Sequence, residues 1–147
     1  MDAATQWRLE WTFSTEADAS GCRCTRLATR TIITVTLPRW VQATNTPPDA
    51  ALAASWARYQ KGLGAHELGH AQLALAAAAE LQRQVTDLGA RGASADCATL
   101  ERSINEAGQR VLDQYGKLER GYDEKTRHGA TQGASFPDGA NRPRRPE

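Results

Sequence analysis

"AHELGHAQLALAAAAELQ", residues 65–82, sets three polar side chains into an otherwise alanine- and leucine-rich stretch. Around it, Trp56, Tyr59, Leu63, His66, His70, Leu73, Ala77, Leu81, Val85 and Leu88 step by three or four residues. That period predicts one long helix from Ala50 to Leu88 with a continuous inward stripe. His66 and His70 lie on the stripe, between Leu63 and Leu73. Buried there without partners, each would leave polar atoms unsatisfied at about 1–3 kcal/mol. Residues at i and i+4 face the same way, with Cβ atoms about 5–6 Å apart. Two imidazoles at that spacing can share one zinc ion. Glu67 sits about 100° around the helix, where it reaches a water on that ion and can serve as general base.

The flanking sequence frames this helix. Pro47 and Pro48 stop the preceding chain and Asp49 is placed to cap the helix. Gly62, Gly64 and Gly69 lower helix propensity and permit a bend near residues 62–64. Gly89 and Gly92 mark a C-cap and a turn, and Ser94 is expected to cap a second helix. Its stripe runs Cys97, Leu100, Ile104, Ala107, Val111, Tyr115, Leu118 and Tyr122. Beyond Tyr122 the glycine-rich, polar sequence reads as loop. Upstream, Trp7, Leu9, Trp11 and Phe13 alternate with polar residues, which predicts a half-buried strand. A polar loop, "STEADASG", follows, then a threonine-, isoleucine- and valine-rich strand from Cys22 to Leu37, closed by Pro38. The two strands are expected to pair as an antiparallel hairpin. The expected class is therefore α+β: a small antiparallel β-sheet packed on a long antiparallel helical hairpin, with a zincin-like active-site helix.

Composition narrows the partners. The chain has 147 residues, 40% of them apolar and 24% charged, as in an ordinary globular domain. We expect a single domain over residues 1–140 and a disordered tail over 141–147, where Arg142, Arg144 and Arg145 are interspersed with prolines. A formal net charge of +1 gives no electrostatic case for nucleic acid or an anionic membrane. No apolar run approaches the roughly 20 residues of a membrane span. The opening "MDAATQWRLEWTF" lacks the basic start and apolar core of a signal peptide. Of three cysteines, Cys22 and Cys24 share one strand face, and one of them is expected to bridge to Cys97. That bridge implies an oxidising compartment.

A catalytic zinc needs a third protein ligand and an open fourth position. The candidates are His128, Asp123 and Glu106. With a helical turn near Arg91, His66 should face Lys117 and His70 should face Asp113, while Glu106 lies opposite Ala77. His128 then reaches the metal only if the chain reverses after Tyr122, which Gly121 and Gly129 permit. Tyr122 falls near the site, where a phenol can donate to the oxyanion of a tetrahedral intermediate.

The order of motifs carries a resemblance: Trp7 to Trp11, Cys22, Leu37 to Trp40, Trp56, Tyr59, His66 to His70, Cys97, and Tyr122 to Ala134. It resembles the bacterial family catalogued as domain of unknown function 922, described as secreted zinc-dependent proteases. The resemblance implies that His66, Glu67 and His70 are the zinc-and-base motif. It also implies that Tyr122, Asp123, Thr126, His128 and Gly129 belong to the site, which favours His128 as third ligand, and that the protein is exported.

The expected function is zinc-dependent hydrolysis of peptide bonds in a peptide or protein substrate. His66, His70 and His128 would hold the metal, Glu67 would be the base, and Tyr122 an auxiliary catalytic group. The expected location is secreted or periplasmic. Two other classes compete: a non-catalytic binding or structural module stapled by the same metal, and a zinc amidase acting on cell-wall peptides.

Overall fold

The computed structural model describes residues 3–41, 47, 49–90, 94 and 96–136. Two antiparallel strands, β1 (Ala4–Asp18) and β2 (Gly21–Thr36), form a two-stranded sheet. The sheet packs on two long helices, α1 (Ala50–Ala90) and α2 (Cys97–Thr126). The register sets Trp7 opposite Ile33, Trp11 opposite Thr29 and Phe13 opposite Leu27. Alternation does what it should: Leu9 is buried, and Trp7, Trp11 and Phe13 pack half-buried against the core, while Arg8, Thr12 and Ser14 face outward.

The hairpin differs from expectation in its turn. Residues 14–18, read as polar loop, continue β1, because Thr15, Glu16 and Ala17 pair with Cys24, Arg23 and Cys22 after a register shift at Ser14/Thr15. The connection shrinks to Ala19 and Ser20. Asp18 Oδ1 accepts from the Ser20 amide at 2.7 Å, and Gly21 takes φ 121°, which favours glycine. A hydrophilic segment can be strand when its outer face and its edge meet water.

α1 is continuous. Asp49 caps it, accepting from the Leu52 amide at 3.3 Å. The helix is unbroken through Gly62–Gly64. Gly62 is there for a close approach instead: a Cβ on it would lie 2.3 Å from the carbonyl carbon of Gly133. α2 is capped by Asp96, whose Oδ1 accepts from the Thr99 amide at 2.7 Å, rather than by Ser94. Ser94 is committed elsewhere, exchanging backbone hydrogen bonds of 2.8 and 2.9 Å with Cys22. Beside that bridge, Cys22 and Cys97 form the disulfide, and Cys24 stays free and half-buried. The turn at Gly92 and the tail from residue 137 lie outside the described residues.

The core joins all four elements: Leu9, Cys22, Ala77, Leu81, Val85, Leu100, Ile104, Ala107 and Val111. The predicted stripes thus bury where they should, although Leu118 at the far end of α2 is exposed. α2 does not stop at Tyr122. It runs to Thr126, ends on left-handed Arg127 (φ 50°) and His128 (φ 51°), and reverses into a 3-10 turn, Ala130–Gln132. That reversal brings the last described residues back across α1. No described helix is long and apolar enough to cross a membrane.

Candidate metal centre

His66, Glu67 and His70 are all buried on α1. The two imidazoles point the same way: His66 Nε2 and His70 Nε2 are 3.3 Å apart. α2 supplies the third atom. Asp123 Oδ1 lies 3.1 Å from His66 Nε2 and 3.0 Å from His70 Nε2. Among the described residues, this is the group of His, Cys, Asp or Glu side chains close enough to share an ion.

The outer ring nitrogens have partners that leave the inner ones free for a cation. His70 Nδ1 lies 3.2 Å from Glu119 Oε1, a pure acceptor when ionised. His66 Nδ1 lies 3.1 Å from Gln132 Oε1 and 3.3 Å from Thr126 Oγ1. The Thr126 hydroxyl donates to the Tyr122 carbonyl at 2.7 Å, so toward His66 it accepts. Gln132 also donates through Nε2 to the Tyr122 hydroxyl at 3.0 Å, which orients its amide with oxygen toward His66. Both Nδ1 atoms therefore donate. In a neutral ring so held, each Nε2 presents a lone pair toward the other and toward a carboxylate oxygen. With both rings neutral, three acceptors stand 3.0–3.3 Å apart, an arrangement that a shared cation relieves. Ligands about 2.0–2.2 Å from a tetrahedral zinc sit about 3.3–3.6 Å apart, so the donor set fits such an ion with a small expansion. Carboxylate or amide partners on the far side of ligating histidines fix ring and tautomer in metal sites generally.

Of the three candidate third ligands, Asp123 joins the two histidines. His128 lines the same cavity, but its side chain is 81% exposed and its Nδ1 is 3.7 Å from Asp123 Oδ1. Glu106 is exposed on α2, away from the group. The Tyr122 ring stacks on His66, centroids 5.1 Å apart at 8°, and meets His70 edge-on. Its hydroxyl points behind α1, donating to the His66 carbonyl at 3.3 Å, where only a glycine at position 69 leaves room. It does not line the cavity beside the donor set.

Glu67 does line that cavity, and the Thr5 hydroxyl of β1 donates to its Oε2 at 2.6 Å. The cavity is about 470 Å³, the size of an ordinary small-ligand cleft. Its charged wall is Glu67, Glu119 and Asp123, with no Lys or Arg among the described lining residues, and Tyr59, Leu63 and Ala134 make an apolar wall. Tyr59 belongs to an aromatic cluster with Trp56 and Phe136, and Trp40 meets Trp56 edge-on. These aromatics fasten the segments before α1 and after the 3-10 turn to the start of α1.

Sequence reasoning did not find Glu119, Gln132 or Thr5 as site residues. Glu119 shows only as one charge among many on α2, and Thr5 as one threonine in a strand. Gln132 lay within the matched terminal block without a role of its own.

No curated protein and no solved structure matches the chain. One family model does, over residues 1–129: the bacterial proteins of unknown function DUF922. The match covers both strands, both helices and all three converging side chains, and on it the chain belongs to that family.

Proposed function

We propose that the protein is a zinc-dependent metallopeptidase. The observation that carries the reading is the convergence of His66 Nε2, His70 Nε2 and Asp123 Oδ1 beside a cavity that also holds the Glu67 carboxylate. Two imidazoles and one carboxylate are a donor set suited to zinc, and three protein ligands leave a fourth position open. When bound, the ion would polarise a substrate carbonyl and acidify water.

The chain's own residues supply the rest. Glu119, Gln132 and Thr126 hold the two imidazoles in the ligating tautomer. Tyr122 braces both rings; we assign it to that support rather than to the oxyanion. Glu67 takes the proton from the attacking water and passes it to the leaving amine. His128, at the rim, faces the substrate. A module merely stapled by metal needs a fourth protein ligand, and the described residues bring three. The Cys22–Cys97 bridge supports a secreted or periplasmic location.

The test is metal content and hydrolysis of denatured casein, measured together on four proteins. Wild type should bind about one zinc per chain, as a three-ligand site requires, and cleave the casein. Glu67→Gln should keep the zinc and lose at least about 100-fold in rate. Asp123→Asn should lose zinc, and His128→Ala should keep it. Full activity in Glu67→Gln, or no metal in wild type after zinc is added back, would sink the proposal.

A further inference from the structure

We infer that Thr5 is a positioning residue for Glu67; the inference rests on the peptidase reading above. On the inward face of β1, Trp7, Leu9, Trp11 and Phe13 are apolar and pack toward the core. Thr5 is the next inward position, and there the pattern gives way to a hydroxyl. A valine would serve a half-buried strand at least as well, so burial does not explain the threonine. Its partner does. The Thr5 hydroxyl donates to Glu67 Oε2 at 2.6 Å, with the Glu67 carbonyl nearby at 3.3 Å.

Glu67 is buried, and a free carboxylate on its two terminal torsions would swing. Among the described residues no other donor reaches either carboxylate oxygen. One oxygen is therefore anchored to the sheet and the other is left to accept a proton within the cavity that both residues line. The anchor also gives the β-hairpin a part in the site: the beginning of β1 sets the base, while α1 and α2 set the ligands.

Acetohydroxamate is a suitable probe, because it chelates zinc and gives its hydroxyl proton to a neighbouring carboxylate. Its affinity for zinc-loaded protein is read by calorimetry, with zinc content measured on each sample, so no substrate is needed. Thr5→Val should keep its zinc and bind the probe about tenfold more weakly, the range expected for a lost hydrogen bond to a charged group. Thr5→Ser should restore wild-type affinity. Glu67→Gln is the reference and should weaken binding at least as much. Wild-type affinity in Thr5→Val beside a weakened Glu67→Gln overturns the inference and leaves the peptidase reading standing. Loss of zinc in Thr5→Val makes Thr5 a support for the ligands and overturns its role on Glu67. An unaffected Glu67→Gln removes Glu67 from the metal and overturns both.

Discussion

Two glycines on one helix, two residues apart, should respond differently to the same substitution. Gly62 and Gly64 both lie inside α1, where glycine costs up to about 1 kcal/mol relative to alanine. Gly64 has nothing within 4 Å of where a Cβ would stand, so Gly64→Ala should stabilise the protein by up to about 1 kcal/mol. At Gly62 the Cβ would stand 2.3 Å from the Gly133 carbonyl carbon, 2.4 Å from the Ala134 nitrogen and 2.7 Å from the Gly133 oxygen. These are backbone atoms, and they must retreat by roughly 1 Å to reach ordinary contact. Overpacking of this kind costs about 1–3 kcal/mol, which cancels or exceeds the propensity gain. Gly62→Ala should therefore fall about 1–3 kcal/mol below Gly64→Ala in stability.

The retreat has a second consequence. Gly133 follows Gln132, which holds His66 Nδ1 at 3.1 Å, and a shift of that size breaks the bond. Losing such an outer partner typically weakens metal binding 10–100-fold. Urea unfolding of the metal-free proteins gives the stabilities, and competition with a chromophoric chelator gives the zinc affinities. If both alanine variants gain stability equally and bind zinc like wild type, the segment after α2 does not pack on Gly62, and the account of Gln132 fails with it.

The remaining predictions concern the cross-link and one carboxylate. The Cys22–Cys97 bridge spans a sequence separation of 75, for which the chain-entropy model gives about 4.5 kcal/mol; urea unfolding with and without reductant should show a loss of that order, and Cys24→Ser none. Glu80, hydrogen-bonded by Arg83 and Gln84, has its pKa lowered from 4.5 to about 2, with the Arg83 hydrogen bond the largest cause. Its folded-state pKa is depressed, so its contribution is complete above about pH 4.5 and fades as pH falls toward 2. Arg83 is 60% exposed, which limits the pair to under about 1 kcal/mol. Glu80→Gln should lower stability slightly at pH 7 and leave it unchanged near pH 2; an equal effect at both would assign the loss to packing.

What could be read in advance follows from the range of the interactions. The helices, their stripes and the antiparallel strands rest on periods of 3.6 and 2, which a single segment displays by itself. His66 and His70 belong to this class, since four residues of one helix fix their relation. The turn at Ala19–Ser20 and the cap at Asp96 were misplaced because each of the polar residues nearby has the right chemistry for the role. Ser94 lost the cap to Asp96 through a pairing with Cys22 that no local pattern announces.

Asp123, the candidate third ligand, belongs to another class. It depends on how two helices slide past each other, and that is set by the length of the connection. A turn near Arg91 puts Lys117 opposite His66 and Asp113 opposite His70. α1 continues to Ala90 and α2 begins only at Cys97, so the centre of the hairpin moves along the chain. The structure pairs His66 with Asp123 and His70 with Glu119, six residues further along α2 in each case. At 1.5 Å per residue that is about 9 Å, enough to exchange a lysine for a candidate metal ligand. The same shift lets α2 reach the site without reversing after Tyr122, so the reversal comes four residues later and serves a different purpose. It turns Thr126 and Gln132 back onto His66 Nδ1, and it leaves His128 at the rim of the cavity. The crowding of conspicuous residues between Tyr122 and Ala134 thus has a physical cause: one helix end and one left-handed turn must supply a candidate ligand, hold an imidazole and pass over Gly62 within a few residues.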